Sequence, residues 1–264
     1  MILLTRSLLG LALAAVLALA SRRARWLSSS GAWCAVLIGT LVTAAGWQWA
    51  AMLLAFFFST SVLSRWRRDA KTRATRAMVD KAGARDAWQV AANGGVYALC
   101  ALGAIISSAP GWPLAGLGAL AAATADTWAT EIGTAIGGVP RSVVGARRVE
   151  PGTSGAITTS GTIGMALGAL FVGTVAPLAG FDQRMLVPVS LGGVAGAVVD
   201  TLAGALIQER RWCARCRLAT ERRVHDCGGE TAHRQGWAGF DNDAVNLTSC
   251  VAGAAVALLC GRST

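Results

Sequence analysis

From Gly31 to Leu63 the chain runs 33 residues without a charged side chain. About 20 apolar residues cross a bilayer, so this run is too long for one span and must turn back on itself. Gly46, near its middle, is the natural break and predicts two short helices, over 31–46 and 47–63. Further apolar stretches cover 2–20, 89–108, 113–137, 157–179, 185–207 and 243–260. The expected fold is therefore all-α: a polytopic membrane helical bundle of about eight spans, with seven as the alternative count, forming one transmembrane domain over residues 1–264. Charged residues make up 14% of the chain, against about 25% in a soluble domain, and mean hydropathy is +0.51.

The charges that remain are distributed by topology. Segments 21–30, 64–88, 138–156 and 208–240 hold 21 of the 24 Lys and Arg residues. Only Arg6, Arg184 and Arg262 fall outside them. Eight spans put all four basic segments on one side, which the positive-inside rule makes cytoplasmic, with both termini facing away; seven spans would spoil the asymmetry. Residues 2–20 end in Ala18-Leu19-Ala20, as a cleavable signal would, but Arg22, Arg23 and Arg25 follow at once and favour a retained first helix. A net charge of +10 carried on loops between apolar spans serves topology and anionic headgroups, so nucleic acid is not an expected partner.

Against this background two carboxylates stand out. Asp126 and Glu131 close a run from Trp112 to Ala125 that is otherwise almost wholly apolar. An ionised group costs about 2.5–3.5 kcal/mol at a bilayer centre on insertion scales, so such residues mark function. The run Gly192–Thr201 repeats the arrangement: Gly118 to Asp126 has the same spacing as Gly192 to Asp200, and Thr follows Asp in both. In the eight-span topology this pseudo-repeat is parallel. Asp126 lies ~20 Å and Asp200 ~22 Å into their spans from the outer side, so both sit in the inner half of the bilayer. Asp241-Asn242-Asp243 and Asn93-Gly94 start their spans from that same inner side. The polar clusters therefore converge on a cytoplasm-facing site. Asp126 and Thr130 share a helix face, whereas Glu131 is about 140° away from Asp126 and joins them only if the glycine-rich helix end loosens; otherwise it is an ion-paired end residue.

The chemistry offered is that of a metal and phosphates. Asp241, Asp243 and Asn246 supply hard oxygen ligands of the kind Mg²⁺ shares with phosphate and water, although an N-capping Asp reads the same residues. Pro151-Gly152-Thr153-Ser154-Gly155 combines exposed backbone N–H groups, hydroxyls and a following helix N-terminus, the parts of an anion nest, and Arg141, Arg147 and Arg148 stand upstream. It lacks the Lys-Ser/Thr ending of a P-loop. Lys81 and Arg85, four apart, are placed to grip phosphates together or to anchor headgroups. Separately, Cys213-Ala214-Arg215-Cys216 with His225 and Cys227 carries the ligands of a small structural Zn²⁺ site inserted between the last two spans. Reduced cytoplasmic thiols argue against a disulfide there.

These same stretches resemble one membrane family, which includes transmembrane protein 19 and the plant phytyl-phosphate kinases and is filed as domain of unknown function 92. Ala125–Gly133 is similar to its A-D-T-W-A-[ST]-E-[IL]-G signature, Pro151–Gly155 to its P-G-T-S-G loop, and Asp200–Gly204 to its D-[ST]-x-x-G helix. Asp241–Asn246 resembles D-N-[DN]-x-V-N, and Lys81–Gly94 resembles K-x-G-x-R-x-x-x-Q-V-x-A-N-G. The resemblance covers residues 30–260 in order. It implies a membrane-embedded kinase that phosphorylates an isoprenyl monophosphate, such as phytyl or geranylgeranyl phosphate, to the diphosphate, with CTP the favoured nucleoside triphosphate and Mg²⁺ as cofactor. On that reading Asp126, Asp200, Asp241 and Asp243 hold Mg²⁺ directly or through water, while Lys81, Arg85, Asn93, Arg141, Thr153 and Ser154 hold phosphates; Glu131, for the metal, and Asn246, for phosphate, are second choices. It also implies that the Cys/His loop belongs to prokaryotic members and that zinc is dispensable to the chemistry. The competing class is an ion-coupled transporter of a phosphorylated or lipid substrate, since paired intramembrane acids on Gly-broken, repeated helices also describe carriers. A CDP-alcohol phosphotransferase is excluded, because neither D-G-x-x-A-R nor G-x-x-x-D-x-x-x-D occurs.

Overall fold

A computed structural model describes residues 1–75 and 83–262. Each predicted span coincides with a helix: α1 (Ile2–Arg23), α2 (Ser29–Ala45), α3 (Trp47–Arg65), α5 (Ala87–Ile106), α6 (Gly111–Ile136), α7 (Thr159–Leu178), α8 (Leu186–Leu206) and α9 (Asn242–Gly261). A further short helix, α4 (Arg68–Thr75), lies in the basic segment where a loop was expected. α1, α3, α5, α7, α8 with its leading 3-10 turn, and α9 are long and apolar enough to cross a membrane. α2 is apolar but has only 17 residues, and the 26 residues of α6 carry both acids. The protein is a polytopic helical membrane protein.

Local chemistry sets the helix ends. Gly46 closes α2 and opens α3, as the long apolar run requires. Ser28 caps α2 by accepting from the Gly31 N–H at 3.1 Å, Asp86 and Gln89 form a capping box on α5, and Thr158 caps α7 through the Gly161 N–H at 3.0 Å. Each cap satisfies backbone donors that low-dielectric surroundings would leave costly.

The helix at the centre is α6, buried without interruption from Leu114 to Ala125. Small residues allow its neighbours to approach it closely. A Cβ on Gly118 would stand 2.5 Å from the Gly253 carbonyl oxygen of α9, and one on Gly192 of α8 would stand 2.6 Å from the same atom. Gly161, Gly164 and Gly168 of α7 face α6 in the same manner; Cβ atoms on them would meet the backbone of Ala129, Trp128 and Ala125 at 3.0, 2.7 and 2.9 Å. The two Asp-Thr helices thus pack at matching positions on one glycine of α9, and their aspartates meet again eight residues on, so α6 and α8 run in the same direction. The sequence repeat is a spatial one.

Two small sheets lie outside the bundle. β1 (Arg141–Ser142) and β2 (Ala156–Ile157) pair antiparallel and close the loop that carries Pro151–Gly155. Residues 208–240 contain a three-stranded antiparallel sheet, with β3 (Arg210–Cys213) between β4 (Leu218–Thr220) and β5 (Ala232–Gln235).

Candidate functional site

One large cavity, about 860 Å³, opens where α6, α8 and α9 meet the two small sheets and the basic segment. Its lining carries both signs of charge. Asp126 from α6, Asp200 from α8, and Asp241 and Asp243 from the start of α9 contribute carboxylates, with Glu131, Glu209 and Glu221. Arg65 from α3, Arg68 and Lys71 from α4, and Arg85 just before α5 contribute cations. The Pro151–Gly155 loop and the three-stranded sheet, through Arg211 and Arg223, complete it.

The carboxyl groups of Asp126 and Asp200 are in direct interaction. Both side chains are half-buried, and Asp200 Oδ2 is buried with no hydrogen-bond partner among the described residues. Two adjacent carboxylates in apolar surroundings are stable together only if a cation or a shared proton offsets their repulsion. An orphaned carboxylate oxygen beside a second carboxylate fits a divalent cation. Asp243 is 9% exposed and lines the same cavity. Among the described residues, however, no three acidic groups come within 4.8 Å of one another, so the aspartates do not form a closed cage.

The structure distributes the other predicted residues unevenly. Asp241 is the N-cap of α9: its Oδ1 accepts from the Asp243 and Ala244 N–H groups, each at 3.1 Å, so that oxygen serves the helix. Glu131 lines the cavity but is ion-paired with Lys71 and accepts from Ser64 Oγ at 2.6 Å. Lys71 in turn donates to the carbonyls of Leu63 and Ser64, at 2.7 and 3.1 Å, and so ties the end of α3 to α6. Arg85 is held within reach of Thr60 and Ser64, at 3.4 Å from each hydroxyl. Asn93 lines the cavity while its amide donates to the Gln89 carbonyl at 2.9 Å, and Asn246 lines it too. The hydroxyls of Thr153 and Ser154 donate to the Glu150 carbonyl, at 2.7 Å, and to the Glu221 carboxylate, so within the nest they are engaged by the protein. Arg141 is not among the cavity residues; it is exposed and donates to the Ala146 carbonyl at 3.0 Å. Lys81 lies outside the described residues.

Sequence reasoning missed Arg65, Arg68, Lys71, Arg211, Arg223 and Glu221. Lys71 and Arg223 sit in basic runs that topology alone explained, and no spacing signals a partner 60 residues away.

The four predicted zinc ligands come together. The ligand atoms of Cys213, Cys216, His225 and Cys227 all lie within 4.8 Å of one another.

The family model for the integral membrane proteins called DUF92 matches residues 12–254. An uncharacterized membrane protein of Methanocaldococcus jannaschii is 32% identical over 209 residues, which cover 78% of this chain and 85% of that protein. Protein PGR of Arabidopsis thaliana is 27% identical over 274 residues, covering 92% of each. No solved structure matches. The match over nearly the whole chain, on a helical bundle built around its signature acids, makes this protein a member of the DUF92 family of integral membrane proteins.

Proposed function

We propose that the cavity is a phosphotransfer site at the cytoplasmic face of the cell's inner membrane, where the terminal phosphate of a nucleoside triphosphate, CTP being favoured, passes to an isoprenyl monophosphate and gives the diphosphate. The observation that carries this reading is the shared lining: the interacting Asp126 and Asp200 and the guanidinium groups of Arg65, Arg68 and Arg85 line one chamber within a membrane protein. Polyphosphate suits such a lining, with its oxygens shared between cations of the protein and a metal on the carboxylates.

Asp126 and Asp200 would hold Mg²⁺, with Asp243 placed to do so directly or through water. When bound, the ion supplies neutralisation of the charge that develops on the transferring group. Asp241 fixes the start of α9 and thereby the position of Asp243. Arg65, Arg68 and Arg85 of the same lining bind and orient phosphate oxygens. The acceptor needs no general base, because a phosphate monoester has its second pKa near about 6 and is already ionised at neutral pH. Rate enhancement rests on in-line positioning and electrostatics. The exposed apolar faces of the bundle contact membrane lipids and leave the isoprenyl tail in the bilayer, and both termini face away from the cytoplasm.

The test is purified protein with Mg²⁺, γ-labelled CTP, ATP or GTP, and a panel of prenyl monophosphates. Label in a prenyl diphosphate supports the proposal. No transfer to any acceptor, together with proton- or sodium-driven uptake of the same compounds into liposomes, would replace it with the transporter reading.

A further inference from the structure

The three-stranded sheet has an unusual interior. Its strands are three or four residues long, and the buried residues of the 208–240 module are Gln208, Glu209, Cys213, Thr220, His225 and Thr231, with no large apolar side chain among them. A sheet this short with so little apolar burial draws little cohesion from a hydrophobic core. The polar bonds of Glu209 and Arg211 contribute, and the cysteine–histidine cluster is placed to supply the rest. His225 is 8% exposed, and neither ring nitrogen has a hydrogen-bond partner among the described residues. Cys213 Sγ and Cys227 Sγ stand 3.6 Å apart, far longer than a disulfide. The distance is close to the edge of a tetrahedron with Zn–S bonds of about 2.3 Å, about 3.8 Å.

The same sheet grips the Pro151–Gly155 loop. Glu221, immediately after β4, accepts from Ser154 Oγ, and Arg210 of β3 donates to the Ser154 carbonyl at 2.7 Å and to the Gly204 carbonyl of α8 at 3.3 Å. Gly204 is one helical turn beyond Asp200, so the grip sets the loop against the helix that carries the buried carboxylate. Arg211 is locked to Thr231 by a 2.8 Å hydrogen bond and reaches the cavity from β3.

We infer that Cys213, Cys216, His225 and Cys227 bind one Zn²⁺, and that the loaded module positions the Pro151–Gly155 loop through Glu221 and Arg210. Glu221 is a positioning residue: it acts through Ser154. Zinc takes no part in group transfer, and its influence on catalysis rests on the phosphotransfer proposal. The metal site and the ordering of the loop stand without it.

The experiment uses the full chain in detergent or nanodiscs, with metal content by mass spectrometry and hydrogen exchange of the backbone over residues 143–157. One zinc per chain is expected. Chelation should speed exchange in 143–157 by about tenfold or more while leaving α6 unchanged. Glu221→Ala should keep the zinc yet speed the same amides, a result that a merely structural metal site would not give. Cys216→Ser should lose zinc; if it fails to fold, chelation of the wild type gives the answer. Absence of stoichiometric zinc, or zinc loss without change in 143–157, overturns the inference. Failure to phosphorylate prenyl phosphates leaves both readouts intact, so the two proposals fail separately.

Discussion

Replacing Lys71 with Met isolates a largely buried ion pair of the cavity wall. The Lys71 side chain is 8% exposed and the Glu131 side chain 20%, so neither charge is well solvated by bulk water. Breaking a buried pair by removing one partner costs about 3–5 kcal/mol, because the remaining charge is stranded. Glu131 faces a chamber that water can enter and keeps the Ser64 hydroxyl, which reduces the cost to about 2–3 kcal/mol. Lys71→Met also frees the carbonyls of Leu63 and Ser64 at the end of α3, a further loss of about 1 kcal/mol. Glu131→Gln strands the ammonium in the same way. The double variant removes both charges, so it should be less destabilised than the sum of the single variants, with a coupling of about 1–2 kcal/mol. Thermal unfolding of the four proteins in one detergent measures this. Additive effects would refute the assignment of Glu131 as the structural partner of Lys71 and return it to the list of metal ligands.

Further outcomes follow from the same geometry. Gly253→Ala would place a Cβ 2.6 Å from the Gly118 carbonyl oxygen and 2.7 Å from the Ala122 Cβ, forcing α9 from α6. Overpacking of this kind costs about 1–3 kcal/mol, so the melting temperature should fall, whereas Gly95→Ala, which meets nothing within 4 Å, should leave it unchanged. Glu209 of the sheet module ionises below the usual Glu range: burial opposes it, but the Gly239 N–H at 2.8 Å and the Arg211 guanidinium outweigh burial. A lowered carboxylate contributes stability that is complete above its unfolded value, about 4.3, and is lost as pH falls through the folded one. Protection of residues 208–240, corrected for the intrinsic exchange rate, should therefore fall as pH drops through that range, and Glu209→Gln should weaken the dependence.

Much of this architecture was legible because it rests on local chemistry. The break at Gly46, the ends of the apolar runs and the Cys/His quartet all follow from composition and spacing within a few residues. The pairing of Asp126 with Asp200 was legible for a different reason: an equal offset from Gly118 and Gly192 transmits to equal height when both glycines pack on Gly253. What stayed hidden depends on contacts between distant segments. Nothing near Lys71 announces Glu131, and nothing near Ser154 announces Glu221. Arg141 carries the right charge for a phosphate, but its guanidinium is exposed, donates to the Ala146 carbonyl and is not part of the cavity lining. Asp241 lies beside the site with the right chemistry, yet the unsatisfied N–H groups of α9 claim one of its oxygens.

The central claim is that Asp126 and Asp200 together form the metal-phosphate centre. Its most direct test is transfer of labelled γ-phosphate from CTP to geranylgeranyl phosphate by the wild type, Asp126→Asn and Asp200→Asn, each with its melting temperature recorded. The account predicts Mg²⁺-dependent transfer by the wild type and a loss of about 100-fold or more in each variant, with folding preserved. Undiminished transfer in both variants would contradict it.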